Sequence, residues 1–421
     1  MLPQRLATDP VPRIRPVKVL IVDTAVAFGG SLAVARNLLK HLDTTLVDAS
    51  LVSACSDGFV SQEFAGDKQV RLLAPRVDYV TLAKWKSAVG KRFRWPPLRR
   101  ASELSVMIAE LLANVPYTVR LLRIYRKLRL DLVHVNNYSM EPLWAARLLR
   151  LPIIYQLHGI LPSHMDGSGR RNFRHVKAFI SISQAVTESA VRAGLDRAKI
   201  HHIPNFVERA PDGPPPPLPA NLAIGIFGRV NRWKGQKEFL TAAMQILPRF
   251  AGLRIYIVGD SSDADPTYLD ECRQIARSSA YADQIEFTGL VTNVADYYRK
   301  CTIVVLASIG SEGFGMVLIE AMAQARPVIS STVGATSEIV QDGVDGFLVA
   351  PGDTGAMAKR MSELLSNPDL AATMGHSGYE KVRAQYEPSA AARKFERLYV
   401  EVAGSKANSP PWRATSTSAP R

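Results

Sequence analysis

The stretch 210–220 constrains this chain more than any other. It carries Pro211, Pro214, Pro215, Pro216, Pro217 and Pro219. Proline has a fixed φ and no N–H to donate, so neither a helix interior nor a central strand can run through such a segment. It reads as a stiff spacer. The spacer divides the 421 residues into two parts, each long enough to bury its own core. On both sides of it, short apolar runs alternate with segments of helical period. Residues 17–22, 131–135, 152–157 and 178–182 are strand-like before the spacer, with a helix predicted from Ser31 to about His41. After it, 222–227, 254–258, 284–287, 302–306, 327–330 and 346–349 are strand-like, with helical patterns between most of them. This alternation predicts two doubly wound α/β domains joined by a hinge, with a ligand cleft between their facing edges. The domains are expected over 17–210 and 221–385, with the spacer at 211–220. A helix over 386–403 can pack back on the first domain, and tails over 1–16 and 404–421 are expected to be flexible.

Charge is distributed one-sidedly. Residues 1–215 carry 31 Lys+Arg against 17 Asp+Glu, so the whole net charge of +14 lies there and the remainder balances. Its densest part, 84–100, runs from Lys84 to Arg100 with seven basic residues, three aromatics and no acid. A second basic stretch holds Arg120, Arg123, Arg126, Lys127 and Arg129. Cations interleaved with Trp and Phe suit an anionic membrane surface, where each basic residue contributes about 1 kcal/mol. A solvated basic loop accounts for the composition equally well. Nucleic acid would also accept such charge, but no nucleic-acid module accompanies it and none is expected as a partner. The three cysteines lack any C-x-x-C spacing, so neither a disulfide framework nor a zinc site is indicated. With no run of eighteen apolar residues and no apolar leader in 1–16, the expected location is the cytoplasm, peripheral on the inner face of the membrane where the basic stretch meets lipid.

Three loops at predicted strand ends carry chemistry. The first, Asp23 to Ser31, has neither the G-x-G-x-x-G spacing nor a Walker loop. Its Gly29-Gly30 pair lets a backbone approach an anionic group, or makes a tight turn; both readings stand. The second, Gly228-Arg229-Val230-Asn231-Arg232-Trp233-Lys234-Gly235, sets Arg229 and Lys234 at a sheet edge. A departing diphosphate needs fixed cations there, Arg as a bidentate clamp and Lys as a point charge. The third is Glu312-Gly313-Phe314-Gly315, followed by Glu320-Ala321-Met322-Ala323. It places one carboxylate in a strand-to-helix turn and another within the helix that follows.

In kind and order these motifs resemble those of retaining glycosyltransferases of family 4, the group 1 glycosyl transferases. Val258-Gly259, Phe287-Thr288-Gly289, His158-Gly159, Ile203-Pro204-Asn205, Gly334-Ala335-Thr336-Ser337-Glu338 and Asp342-Gly343-Val344-Asp345-Gly346 are further landmarks. The resemblance spans roughly 17–404 and is most specific over 222–353. It implies the GT-B fold, two Rossmann-like domains facing across a cleft. It also implies retaining, metal-independent hexosyl transfer from a nucleotide-diphosphate sugar donor to a saccharide or lipid-linked acceptor, with no cofactor. Residue by residue, it implies that Arg229 and Lys234 hold the diphosphate and Glu320 the ribose hydroxyls. Glu312 would contact the transferred sugar, with Gly313, Phe314 and Gly315 lining the donor. His158 would stand beside the reacting sugar. Gly29 and Gly30 would approach phosphate or acceptor, and the backbone at Gly289 and Leu290 would meet the nucleobase. Asp263-Ala264-Asp265 has a spacing that can mark a metal site, although Pro266 beside it favours a polar loop. A nucleotide-sugar epimerase or hydrolase on the same fold, and a non-catalytic glycosyltransferase-like subunit, are the rival readings.

Overall fold

The structure, a computed structural model, describes residues 15–25, 29–55, 66–75, 96–137, 139–163, 172–208, 215–261 and 266–404, with single positions at 64, 77, 81, 85, 88 and 92. Asp263-Ala264-Asp265 and most of the basic stretch 84–95 lie outside the described residues.

Seven strands build the first sheet: β1 (Val17–Asp23), β2 (Val47–Ser53), β3 (Val70–Leu72), β4 (Leu132–Val135), β5 (Ile153–Leu157), β6 (Ala178–Ser181) and β7 (Ile200–His202). Six build the second: β8 (Ala223–Phe227), β9 (Arg254–Val258), β10 (Ile285–Gly289), β11 (Ile303–Leu306), β12 (Val328–Ser331) and β13 (Gly346–Val349). All pairings are parallel. Helices therefore cover both faces, and β4, β5, β6, β8, β11 and β12 are buried along their whole length. The sequence-level strand assignments coincide with these elements, except that β2, β3 and β7 were not among them. β2 carries Asp48 and Ser50 inside its apolar run, while β3 and β7 are three-residue strands.

Topology decides where ligands can bind. The orders are β3-β2-β1-β4-β5-β6-β7 and β10-β9-β8-β11-β12-β13. The winding reverses between β1 and β4 in one sheet, and between β8 and β11 in the other. A crevice opens at the carboxyl ends of strands at such a switch point. The loops that leave β8 and β11 carry Arg229, Lys234 and Glu312. Those that leave β1 and β5 carry Gly29, Gly30 and His158.

The last described helix, Pro388–Val402, lies against the helix Gly30–His41 and β1. Its apolar residues recur at Ala391, Ala392, Phe395, Leu398 and Tyr399, one face of a helix. They share a core with Val19, Ile21 and Leu38 of the first domain. Glu396 accepts from the Asp43 N–H at 2.7 Å, and the Tyr399 hydroxyl meets His134 Nδ1 at 2.8 Å. The chain thus returns to the first domain after building the second.

A buried arginine ties down the proline-rich segment. Arg326 is 1% exposed and donates to the carbonyls of Pro217 at 2.5 Å, Pro216 at 3.2 Å and Gln324 at 2.8 Å. Burial lowers its pKa to about 10, yet at neutral pH it stays charged and satisfies carbonyls that proline residues expose. Arg326→Ala orphans those acceptors. It should lower unfolding free energy by about 2–3 kcal/mol in urea denaturation, with little change in the slope.

Candidate functional site

The second domain supplies the charged half of the site. After β8 the chain turns at Gly228 and runs through Arg229 into a short 3-10 turn, Arg232–Lys234. Asn231 opens that turn by accepting from the Lys234 N–H at 3.2 Å. Gly235 closes it at φ 74°, and a Cβ there would lie 1.9 Å from the Ala307 carbonyl oxygen. Only glycine lets this loop pack on the end of β11. That packing directs Lys234 to Glu312: Nζ meets Oε1 at 2.6 Å, and the Ser308 hydroxyl donates to the same oxygen at 2.5 Å. The ammonium also sits 4.2 Å from the Trp233 ring centroid. Glu312 is 6% exposed, so its charge is stabilised by this pair rather than by water. Arg229 has no ion pair among the described residues, and its Nη2 would lie 3.8 Å from a Cβ placed on Gly29.

Glu320 lies in the helix Met316–Met322. Its Oε2 accepts from the Tyr298 hydroxyl at 2.7 Å, and Tyr298 is stacked on Phe227 with ring centroids 4.0 Å apart. Burial raises the Glu320 carboxyl above its ordinary value, with the Tyr298 bond acting against the shift. Gly289 ends β10, two strands from β8 along the sheet, and Leu290 after it is exposed. The structure therefore joins Lys234 to Glu312, turns Arg229 toward Gly29 of the first domain, sets Glu320 on the helix after Glu312, and leaves Gly289 and Leu290 toward the far edge.

The first domain faces this cluster with a buried polar network that sequence reasoning missed. Asp23, at the end of β1, accepts from Asn136 Nδ2 at 2.6 Å, Asn137 Nδ2 at 2.8 Å and the Ala25 N–H at 2.9 Å. Asn136 then turns its Oδ1 to His158 Nε2 at 3.0 Å. Because the Asn136 amide N–H groups are engaged by Asp23 and the Ser31 carbonyl, its oxygen must accept, so His158 Nε2 carries the proton. Burial lowers the His158 pKa to about 4 and raises that of Asp23. The only sequence signal for this network was the polar pair Asn136-Asn137 directly after an apolar strand.

The two halves meet where glycine backbone and a few polar side chains face each other. A Cβ on Gly313 would lie 2.2 Å from the His158 carbonyl oxygen, and one on Gly30 would lie 3.1 Å from Met316 Cγ. Ser183 Oγ donates to the Gly313 carbonyl at 2.7 Å. Glu338 accepts from the N–H groups of Gln184 and Ala185, each at 2.7 Å, at the start of the helix Gln184–Arg192.

Two family patterns match this chain in tandem: the one described as Glycosyltransferase Family 4 over residues 28–210, and Glycosyl transferases group 1 over 221–367. The chain is a family 4 glycosyltransferase. Among relatives of this glycosyltransferase, the lipopolysaccharide core biosynthesis mannosyltransferase LpcC of Rhizobium leguminosarum bv. viciae is 29% identical over 220 residues. That match spans 52% of this chain and 61% of the relative. The phosphatidyl-myo-inositol mannosyltransferase of Mycobacterium leprae is 27% identical over 356 residues, 81% of this chain and 90% of the relative. The Anabaena protein Alr3699/HepE, solved with UDP-glucose, superposes with a TM-score of 0.71 at 20% identity, covering 91% of this chain and 99% of its own. The fold of the glycosyltransferase is GT-B, two parallel-sheet domains across a cleft.

His158 and the fully buried His134, whose pKa falls to about 3, are held neutral in the folded protein. The unfolded chain takes up these protons as pH falls through about 6.5, so their contribution is intact above that value and is lost toward pH 4. Asp23 and Glu320, both raised, act with the opposite sign. The melting temperature of His158→Gln should therefore fall less steeply than that of the parent between pH 6.5 and 4.5. Parallel curves would show that the ring is not buried neutral.

Proposed function

We propose that this protein moves a hexosyl unit, with retention at the anomeric carbon, from a nucleoside-diphosphate sugar to a saccharide or lipid-linked acceptor in polysaccharide or glycoconjugate synthesis. One observation carries the reading. The loop that leaves β8 at the switch point of the second sheet carries both an arginine with no carboxylate partner among the described residues, turned toward Gly29, and a lysine already paired with an acid. An arriving diphosphate is drawn to Arg229 by an unneutralised charge. It then competes with Glu312 for Lys234 and carries more charge than the carboxylate it replaces. Released from Lys234, Glu312 can accept hydroxyls of the donor sugar. Glu320 offers two acceptor oxygens to the ribose diol, with Tyr298 holding its orientation.

His158 is neutral at pH 7 with Nε2–H directed to Asn136, which leaves a lone pair on Nδ1 and a carbonyl beside Gly313. Both are negative ends of dipoles, suited to a sugar that gains positive charge as its bond to the diphosphate breaks. Asp23, the carboxylate nearest this ring in the network, is already engaged by three N–H donors. That supports same-face displacement over a route that needs a separate base. The bond between C1 and the diphosphate oxygen breaks, the acceptor oxygen bonds C1 on the same face, and its proton passes to the departing phosphate oxygen. Arg229 and Lys234 stabilise the negative charge left on the diphosphate, a task that needs no metal in this reading. Among the described residues no three His, Cys, Asp or Glu side chains cluster as metal ligands.

NMR of the product should show the anomeric configuration of the donor, and an inverted product overturns same-face displacement. EDTA should leave the rate unchanged; loss restored by manganese defeats the metal-independent account. Glu320→Ala and Lys234→Ala should each lower kcat/KM by about 100-fold, the size of one or two lost charge-assisted hydrogen bonds. Nucleotide release without sugar transfer to any acceptor would favour a hydrolase instead.

A further inference from the structure

The 33-residue helix Pro96–Leu128 spans about 50 Å of the first domain. One side of it is built into the core through Asn114, Tyr117, Leu121 and Tyr125. Asn114 fixes the rotation: its Nδ2 donates to the Val77 carbonyl and to Glu141, and its Oδ1 accepts from the Val77 N–H. With that side assigned, the opposite side is unusual. Leu104, Ile108, Leu112, Val115 and Val119 are 56%, 48%, 65%, 45% and 37% exposed. Their spacing of four, four, three and four residues aligns them in one stripe. Single exposed leucines need no explanation, but a continuous row along several helical turns does.

Charge says what covers it. In the same helical phase the stripe runs on into Arg123 and Arg126, flanked by Arg120 and Lys127. All four are exposed, and none has an ion pair among the described residues. Among the described side chains of this helix, the stripe side is apolar and basic. Trp85 and Arg92, single described positions of the stretch before the helix, are also exposed. An apolar row with cations beside it is suited to lie in the lipid interface.

We infer that the exposed face of the helix Pro96–Leu128 docks on an anionic lipid bilayer, its apolar row entering the headgroup boundary and Arg120, Arg123, Arg126 and Lys127 meeting lipid phosphates. This deepens the lipid-linked side of the acceptor reading and stands without it, because it rests on the helix alone. The sequence pointed to charge; the structure adds the apolar row between the two basic stretches.

The full chain should float with vesicles of phosphatidylcholine containing phosphatidylglycerol and not with phosphatidylcholine alone, and should be released as salt rises. The triple variant Leu104→Ser, Ile108→Ser, Leu112→Ser should lower the partition coefficient by about 100-fold or more. Arg123→Glu with Arg126→Glu should lower it on anionic vesicles while leaving the melting temperature near that of the parent. Both variants should release nucleotide from a soluble donor and acceptor at the parental rate, so failure here is separable from failure of the transfer reading. Equal flotation with neutral and anionic vesicles, no flotation, or unchanged flotation of the triple variant overturns the inference. So does a parent dimer that the triple variant converts to monomer with no vesicle binding, because a second copy then covers the face.

Discussion

The cleft depends on how closely two backbones approach at Gly313. With no side chain there, the loop after β11 lies directly against the carbonyl of His158, leaving no room for a Cβ. Around that contact the domains exchange few but well-formed hydrogen bonds. Ser183 reaches the Gly313 carbonyl, and the Glu338 carboxylate accepts the first N–H groups of the helix Gln184–Arg192. A carboxylate at a helix start is favoured both by the free N–H groups and by the dipole. These contacts hold the polar network of Asp23, Asn136 and His158 on one side and the Lys234–Glu312 pair on the other. Side chains that follow five strand ends, those of β1, β4, β5, β8 and β11, are thereby set on the two sides of the Gly313–His158 contact.

Environment, not residue type, separates the three carboxylates of this region. Glu312 is held by an ammonium and a hydroxyl. Glu320 has burial and a tyrosine hydroxyl, with no cation paired to it among the described residues, and its pKa rises. Asp23 is buried among amide N–H donors, and its pKa rises too. Desolvation disfavours charge and hydrogen bonds restore it, so the balance at each site is set by neighbours that come from elsewhere in the chain.

Local chemistry was the legible part. Arg229, Lys234, Glu312 and Glu320 could be named because each belongs to a short motif at a strand end, where glycine and charge leave a mark within ten residues. Tyr298, Ser308, Asp23 and Asn136 could not. Tyr298 is one of two adjacent tyrosines in a helix, and nothing nearby says which one turns to Glu320. Asp23 and Asn136 lie 113 residues apart, and only the pairing of β1 with β4 makes them neighbours. β2 was missed because Asp48 and Ser50 interrupt its apolar run near the sheet edge. β3 and β7 are too short to show a period. The apolar row on the helix Pro96–Leu128 was hidden in the same way, since periodicity does not tell a buried stripe from an exposed one.

By itself the sequence determined the alternation of strand and helix, the break at the prolines and the placement of cations and acids at strand ends. Those follow from steric limits on proline and glycine and from the burial demanded by β-branched runs, all local properties. Only the tertiary structure decided which groups meet, which histidine nitrogen holds its proton, how the last helix closes the first domain, and which face of the longest helix stays in solvent. Each of these depends on burial and on hydrogen bonds between distant segments, and neither exists until the chain has packed.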